Sequence, residues 1–531
     1  MKKSKFNLIG IALLFTVLLF SSCVNDLDQS STDKGGSVDA EEFFKDPNSY
    51  KQFLAKLYAG YATTGQNGPA GLPDIAGIDE GASQYIRGFW LMQELTTDEA
   101  IIGWGDQTIK DFHYQTWTSL DTFIAATFAR FSFQIVNCNE FLRQTTDAKL
   151  AARGIDAATV AEIKFMRAEA RFLRALTYWH LMDTFGGGSL VNEDSPTTIF
   201  YPEYATRAEI FKFIDDELTA LTPELKDAKT NETYRVGKAA AWMLQAKLYM
   251  NAKVYTGTDK YAQAMPLIEK VIASPYTIHN NYKDLFLADN DKNGAQNEFI
   301  FAVAYDGLNT KTFGGTTFLT HAAVGGNMDP KNFGINGGWA GIRTTSAFVD
   351  KFNGTSGDVR GNFFTDGQTK EIKDVSNFQD GYAVQKFSNL TKAGVQGSDK
   401  SGDFVDTDFP IFRLADAYLM YAECNLRGAG GSNTSALQYV NALRTRANAP
   451  TIGLGELSLD FILDERAREL HWECHRRTDL MRFGKFSGGS YVWPWKGGIA
   501  GGTATPSFRN LFPIPANSIA ANPKLKQNIG Y

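Results

Sequence analysis

Residues 464–486, DERARELHWECHRRTDLMRFGKF, set the strictest condition on any fold this chain adopts. Acids, arginines and aromatics are interleaved in one amphipathic segment. Leu463, Ala467, Leu470, Cys474 and Met481 fall at helical steps, broken by one polar turn at Arg477 and Thr478. That is the stripe of a core-facing helix. Ser458 suits its N-cap and Gly484 its end. Asp464 with Arg468, and Glu473 with Arg477, are spaced as i,i+4 pairs. So many charges ordinarily mean a solvated helix. The mixture with Trp and His points instead to a partly buried network. His471 and His475 share a helical face, but a zincin needs Glu directly after the first His. Here Trp472 stands between His471 and Glu473, and zinc is not implied.

Further helical periodicities run over residues 123–142, 160–184, 207–221, 239–252, 261–273, 414–428 and 435–447. The last four form two pairs, helix–turn–helix units of tetratricopeptide type. Between them the texture changes. Residues 66–117, 275–409 and 488–531 are rich in Gly, Asn, Asp and aromatics, with only short strand-like runs such as 299–305. Loops this long inside a compact protein usually carry function. The reading is mainly α: a tetratricopeptide-like helical-pair scaffold with an inserted, loop-rich, irregular lobe. No composition break separates the two. They form one unit over 46–531, with the scaffold mainly at 120–273 and 410–486. The lobe lies mainly at 66–118, 275–409 and 487–531.

The N-terminus carries Lys2, Lys3 and Lys5, then an apolar run over 8–20, shorter than the roughly 20 residues of a membrane span. Ser21, Ser22 and Cys23 follow. A small residue before a Cys resembles a bacterial lipoprotein cleavage site, with 1–22 removed as signal peptide, Cys23 lipidated and 23–45 a tether. The alternative is a plain secreted protein. Cys138, Cys424 and Cys474 remain, enough for at most one disulfide and best read as buried thiols. The net charge is −6, without a long basic run, which argues against nucleic acid.

Several segments together resemble the SusD/RagB family. They are residues 68–87, ELTTDE at 94–99, RAEARFLRALTYWHLMD at 167–183, DFPIFRLADAYLMYAE at 408–423, 464–486, YVWPWKGG at 491–498, and 510–531. The resemblance implies an outer-membrane lipoprotein, exposed at the cell surface, not an enzyme and needing no cofactor. It would capture poly- or oligosaccharide and deliver it to a SusC-like TonB-dependent transporter. A starch-like α-glucan, or another plant polysaccharide, is the implied substrate.

Sugar rings present an apolar face to stacking aromatics and a hydroxyl rim to polar groups. By motif, the aromatic arc of starch-type members falls on Trp104, Phe313 and Trp339, and its polar partners on Asp79, Arg87 and Gln107. Phe313 replaces a Tyr and Gln107 an Asn, so stacking carries over and hydrogen-bond geometry does not. Loop-core packing remains the plain alternative for the aromatics, and a structural ion pair for Asp79 with Arg87.

The resemblance also suggests a structural calcium at Asp289, Asp291, Asp406 and Asp408. The loop from Asp289 begins like an EF-hand but has Ile300 where that motif needs Glu, and solvated acidic loops are the plain alternative. Two competing functions remain: a helical-repeat adaptor for peptide or protein, and, more distantly, a glycoside hydrolase, for which no carboxylate pair stands out.

Overall fold

The computed structural model describes residues 40–65, 73–106 and 108–531. The expected signal peptide, the expected lipidation site Cys23 and Gln107 lie outside these residues. The helical scaffold forms from the predicted periodic segments. Helices Thr122–Gln144, Ala157–Phe185, Arg207–Leu221, Lys238–Met250 and Tyr261–Ile272 pack each on the next. Their starts follow from local chemistry. Asp121 and Asp156 accept N–H bonds from the first turns of their helices, and Thr206 with Glu209 forms a capping box. Tyr261–Ile272 then packs on Leu414–Leu426, the next scaffold helix in space but 142 residues later in number. Asn433–Arg446 and Leu459–Leu470 complete the run against Leu414–Leu426.

Everything between Ile272 and Leu414 is therefore an insertion. Its neck is an antiparallel strand pair, Phe299–Val303 on Phe409–Arg413, with Phe299 opposite Arg413 and Val303 opposite Phe409. Both strands are buried throughout. One large core joins scaffold and lobe, extending from Tyr50 and Leu54 to Phe512 and Ile514. It begins earlier than the sequence suggested: Ala40–Phe43 is helical and Phe44 is buried, inside the stretch read as tether. Two helices, Asn48–Ala59 and Tyr85–Gln93, add to the predicted set. Cys138, Cys424 and Cys474 are buried and free. Among the described residues no helix is long and apolar enough to cross a membrane.

Residues 464–486 do not form one helix. Leu459–Leu470 ends, and Arg476–Arg482 begins anew after a break. Trp472 and Cys474 take positive φ, 64° and 65°. For non-glycine residues this costs on the order of 1–3 kcal/mol each. The break is held from outside. The Trp472 N–H donates to Glu99 Oε2 at 3.3 Å and the His475 N–H to Glu94 Oε1 at 2.8 Å. Burial raises both carboxyls, Glu99 to about 7.

The i,i+4 pairs expected from the sequence are absent: Asp464, Glu473 and Arg477 find long-range partners, and Arg468 turns to Glu465 one residue closer on its own helix. Asp464 pairs with Lys351 at 2.8 Å, and Arg468 with Glu465 at 2.7 Å. Glu473 pairs with Arg413 at 2.6 Å and Lys386 at 2.7 Å, and Arg477 with Asp183 at 2.9 Å. Glu465 also takes Arg360 and Arg444, each at 2.8 Å. Arg466 joins Asp416 and Asp479, each at 2.7 Å, and Arg476 joins Asp98 at 2.7 Å. The network reaches the lobe through Lys351, Arg360 and Lys386, and the scaffold through Asp183 and Asp416. His471 and His475 belong to it as buried neutral rings, their pKa values lowered by burial and by the neighbouring cations.

Burial alone would raise the carboxyls of Glu465 and Asp479. The guanidiniums of Arg360 beside Glu465 and Arg466 beside Asp479 more than offset it, holding both at about 2. Their contribution to stability is full above the ordinary carboxylate range and is lost as pH falls through the folded value. The urea midpoint should drop between about pH 5 and about pH 2. At neutral pH it should change little in about 1 M salt, because buried pairs are weakly screened. A midpoint that is flat on acidification, or that falls steeply with salt, contradicts a buried network.

Candidate functional site

Two chain segments bring the tryptophans together. Ile101–Ile102 pairs antiparallel with Ile342–Arg343, Ile101 opposite Arg343 and Ile102 opposite Ile342. The ladder continues with the Gly103 N–H donating to Gly341 O at 3.1 Å. Trp104 leaves one strand and Trp339 enters the other, so they face each other across the end of the ladder. Their ring centroids lie 6.4 Å apart at 49°. The Trp104 indole N–H donates to Trp339 O at 3.0 Å. Gly341 is required here, since a Cβ at that position would lie 2.4 Å from the Trp104 ring.

A third loop supplies Phe313. Buried Glu80, its carboxyl raised by burial, accepts Thr312 Oγ1 at 2.5 Å and the Phe313 N–H at 2.9 Å. Gln84 Oε1 caps Tyr85–Gln93 through the Arg87 N–H at 2.7 Å and also accepts the Gly315 N–H at 2.9 Å. These bonds fix residues 312–315 to the turn that carries Asp79. Phe313 is 41% exposed, and its ring lies 6.3 Å from Trp339 at 59°. His321 backs Trp339 in a stacked arrangement, 4.8 Å and 23°, and its Nδ1–H donates to Gly337 O at 2.7 Å. Burial lowers the His321 pKa, so the backing ring is neutral.

The expected residues Trp104, Phe313, Trp339 and Arg87 thus come together on one surface. Arg87 lies against the ring of Phe318 at 4.5 Å and near that of Trp104 at 5.9 Å. Burial lowers its pKa, and the charge of Asp79 partly restores it. Asp79 and Arg87 make no ion pair within contact distance. Asp79 is exposed beside the arc, and its Oδ1 accepts the Ala82 N–H at 2.9 Å. Sequence reasoning missed Glu80 and His321, which position the arc from behind. Their only sequence signal is proximity to Asp79 and Phe313.

Of the four acids expected to hold calcium, Asp408 has its carboxyl raised first by burial and then by the charges of Asp291 and Asp406, which lie near enough to act on it. Asp289 accepts the Lys392 N–H at 3.0 Å, and Asp406 accepts from Gly307 and Ser398. Asp408 accepts the Tyr305 N–H at 2.7 Å and is pushed up to about 7, chiefly by burial. Asp291 is exposed beside Lys292. Among the described residues no three His, Cys, Asp or Glu side chains are gathered as a metal ion requires. Asp289, Asp406 and Asp408 each accept from backbone N–H groups, while Asp408 Oδ2 is buried without a hydrogen-bond partner among the described residues.

Gly341→Ala should push the Trp104 ring off its seat. The near-ultraviolet circular dichroism of the tryptophans should change while the far-ultraviolet helical signal stays. Both spectra unchanged would mean that Gly341 does not set the position of Trp104.

Three comparisons place the chain among known proteins. A sequence model described as the SusD family matches residues 360–531. The starch-binding protein SusD of Bacteroides thetaiotaomicron is 34% identical, over 96% of each chain. A solved SusD superfamily protein from Parabacteroides distasonis superposes with a TM-score of 0.70 at 22% identity, covering 91% of this chain and 99% of that one. Surface glycan-binding protein A from Bacteroides thetaiotaomicron, solved with laminarihexaose, gives a TM-score of 0.64 at 19% identity, covering 90% and 98%. This chain belongs to the SusD family.

Proposed function

We propose that this protein is a lipid-anchored binder of poly- or oligosaccharide at the bacterial surface, which passes its ligand to a SusC-like TonB-dependent transporter. One observation carries the binding part. Three aromatic rings from three separate loops meet at about one ring's spacing, with Phe313 open to solvent and Arg87 and Asp79 beside them. A core would bury such rings. Held at a surface by glycines and backbone bonds, they suit the apolar faces of successive sugars, while the charged groups suit the hydroxyl rim.

Neighbouring ring planes are inclined by 49° and 59°. Inclined rings suit a coiling α-glucan better than a flat ribbon, which would stack best on coplanar ones. The 34% identity to a protein named for starch binding supports the same substrate class. Phe313 has no hydroxyl, so its contribution is stacking alone. The anchor rests on Cys23 and delivery to a transporter on the family resemblance.

The adaptor reading has one observation in its favour. A groove of about 560 Å³ on the helical side is lined by Phe128, Val136, Ile199 and Phe200, with Ile199 fully exposed. Its walls also carry Asn139, Glu140, Arg143 and Thr198, so polarity does not separate it from the arc; the row of rings at Trp104, Trp339 and Phe313 is what favours the glycan reading there.

Affinity electrophoresis in soluble α-glucan, xylan, fructan and host glycans tests the proposal. Wild-type protein should be retarded most by α-glucan. Trp104→Ala with Trp339→Ala should abolish retardation, since the variant loses two of the three rings of the arc. Retardation that survives both changes contradicts the site. Sugar released on simple incubation contradicts binding without hydrolysis.

A further inference from the structure

The arc does not stop at Phe313. Phe404 lies beyond it, ring centroid 5.2 Å from that of Phe313 at 42°, and the inclination of neighbouring planes stays in the same range. Phe404 is half-buried. Exposed Lys311 holds its ammonium 5.9 Å from the Phe404 ring. The order Trp104, Trp339, Phe313, Phe404 is a continuous line of aromatics.

The position of Phe404 is built by the fold. Asp399 Oδ2 accepts the N–H groups of Asp403 at 3.1 Å and Phe404 at 3.0 Å, which folds the loop on itself. Asn336, three residues before Trp339, ties that loop to the arc. Its side-chain amide donates to Asp403 Oδ1 at 2.5 Å and its backbone N–H to Gly402 O at 3.2 Å. Gly402 has φ of +77°, and a Cβ there would lie 2.8 Å from the Asn336 nitrogen. A side chain on Gly307 would meet Phe404 O at 2.9 Å. The loops carrying Phe404, Trp339 and Phe313 are thus in backbone contact, and the four rings form one row.

We propose that Phe404 and Lys311 form a fourth sugar position at the Phe313 end of the arc, so that the groove favours long chains over short ones. This rests on the glycan reading of the arc. Phe404 offers an apolar face beyond the reach of a short oligosaccharide. Lys311 brings three N–H donors to the hydroxyl rim of the sugar seated there. The stem of Lys311 is flexible, so the ammonium can swing to the sugar as it arrives.

Binding of maltotriose and maltoheptaose by isothermal titration separates the possibilities. Phe404→Ala should weaken maltoheptaose about three- to tenfold, the value of one stacked ring, and leave maltotriose unchanged. Lys311→Ala, on an exposed residue that the fold does not need, should act in the same direction on maltoheptaose alone. Trp339→Ala should weaken both sugars. If Phe404→Ala weakens both sugars alike, Phe404 only supports Phe313 and the proposal is wrong. If neither Phe404→Ala nor Lys311→Ala affects maltoheptaose while Trp339→Ala weakens both, the fourth position falls and the three-ring site stands. Wild-type protein that binds neither sugar overturns both.

Discussion

The structure depends on a buried frame of guanidinium and carboxylate groups. Arg413 is its centre, bonded to Glu298 at 2.6 Å, Glu469 at 3.0 Å and Glu473 at 2.6 Å, with every side chain essentially dry. A buried pair gains little over a well-packed apolar replacement, because desolvation cancels much of the attraction. Breaking one is another matter, and leaving a partner uncompensated costs about 3–5 kcal/mol. The frame therefore acts as a specification. In this arrangement of lobe on scaffold Asp98, Asp183, Glu298, Lys351, Arg360 and Lys386 are all paired at once.

From that frame a physical line runs to the aromatic arc. Trp472, held in its strained turn by Glu99, meets Trp90 edge-on at 5.6 Å. Trp90 meets Phe318 at 5.6 Å, and Phe318 meets Trp104 at 6.0 Å. Arg87 lies over Phe318 at the end of this line. The arc is thus the outer end of a packed aromatic column whose inner end is fixed by charge. Preorganised rings need little ordering when a ligand arrives, and that saving appears as affinity.

The scaffold was legible in the sequence because its helices are long and periodic. Arg207–Leu221 matches its predicted bounds, and Ala157–Phe185 and Tyr261–Ile272 differ only at their ends. The break inside 464–486 was not legible. The stripe from Leu463 to Met481 continues through it, and what stops the helix is a pair of acids, Glu94 and Glu99, some 370 residues earlier in the chain. The charge pairs were misread for the same reason: spacing reports neighbours on a helix, not partners across a fold. The members of the arc were found through family motifs, whereas Phe404, Glu80 and His321 have no motif and emerge only when loops distant in sequence are brought together.

The central claim is that an aromatic row, held by the buried frame, is where glycan binds. A crystal structure with maltoheptaose tests it most directly. The account predicts a turning sugar chain laid across Trp104, Trp339 and Phe313, with Arg87 and Asp79 at its hydroxyls and the rings close to their present positions. Sugar density in the groove beside Ile199, or rings that must rearrange to admit the chain, would contradict it.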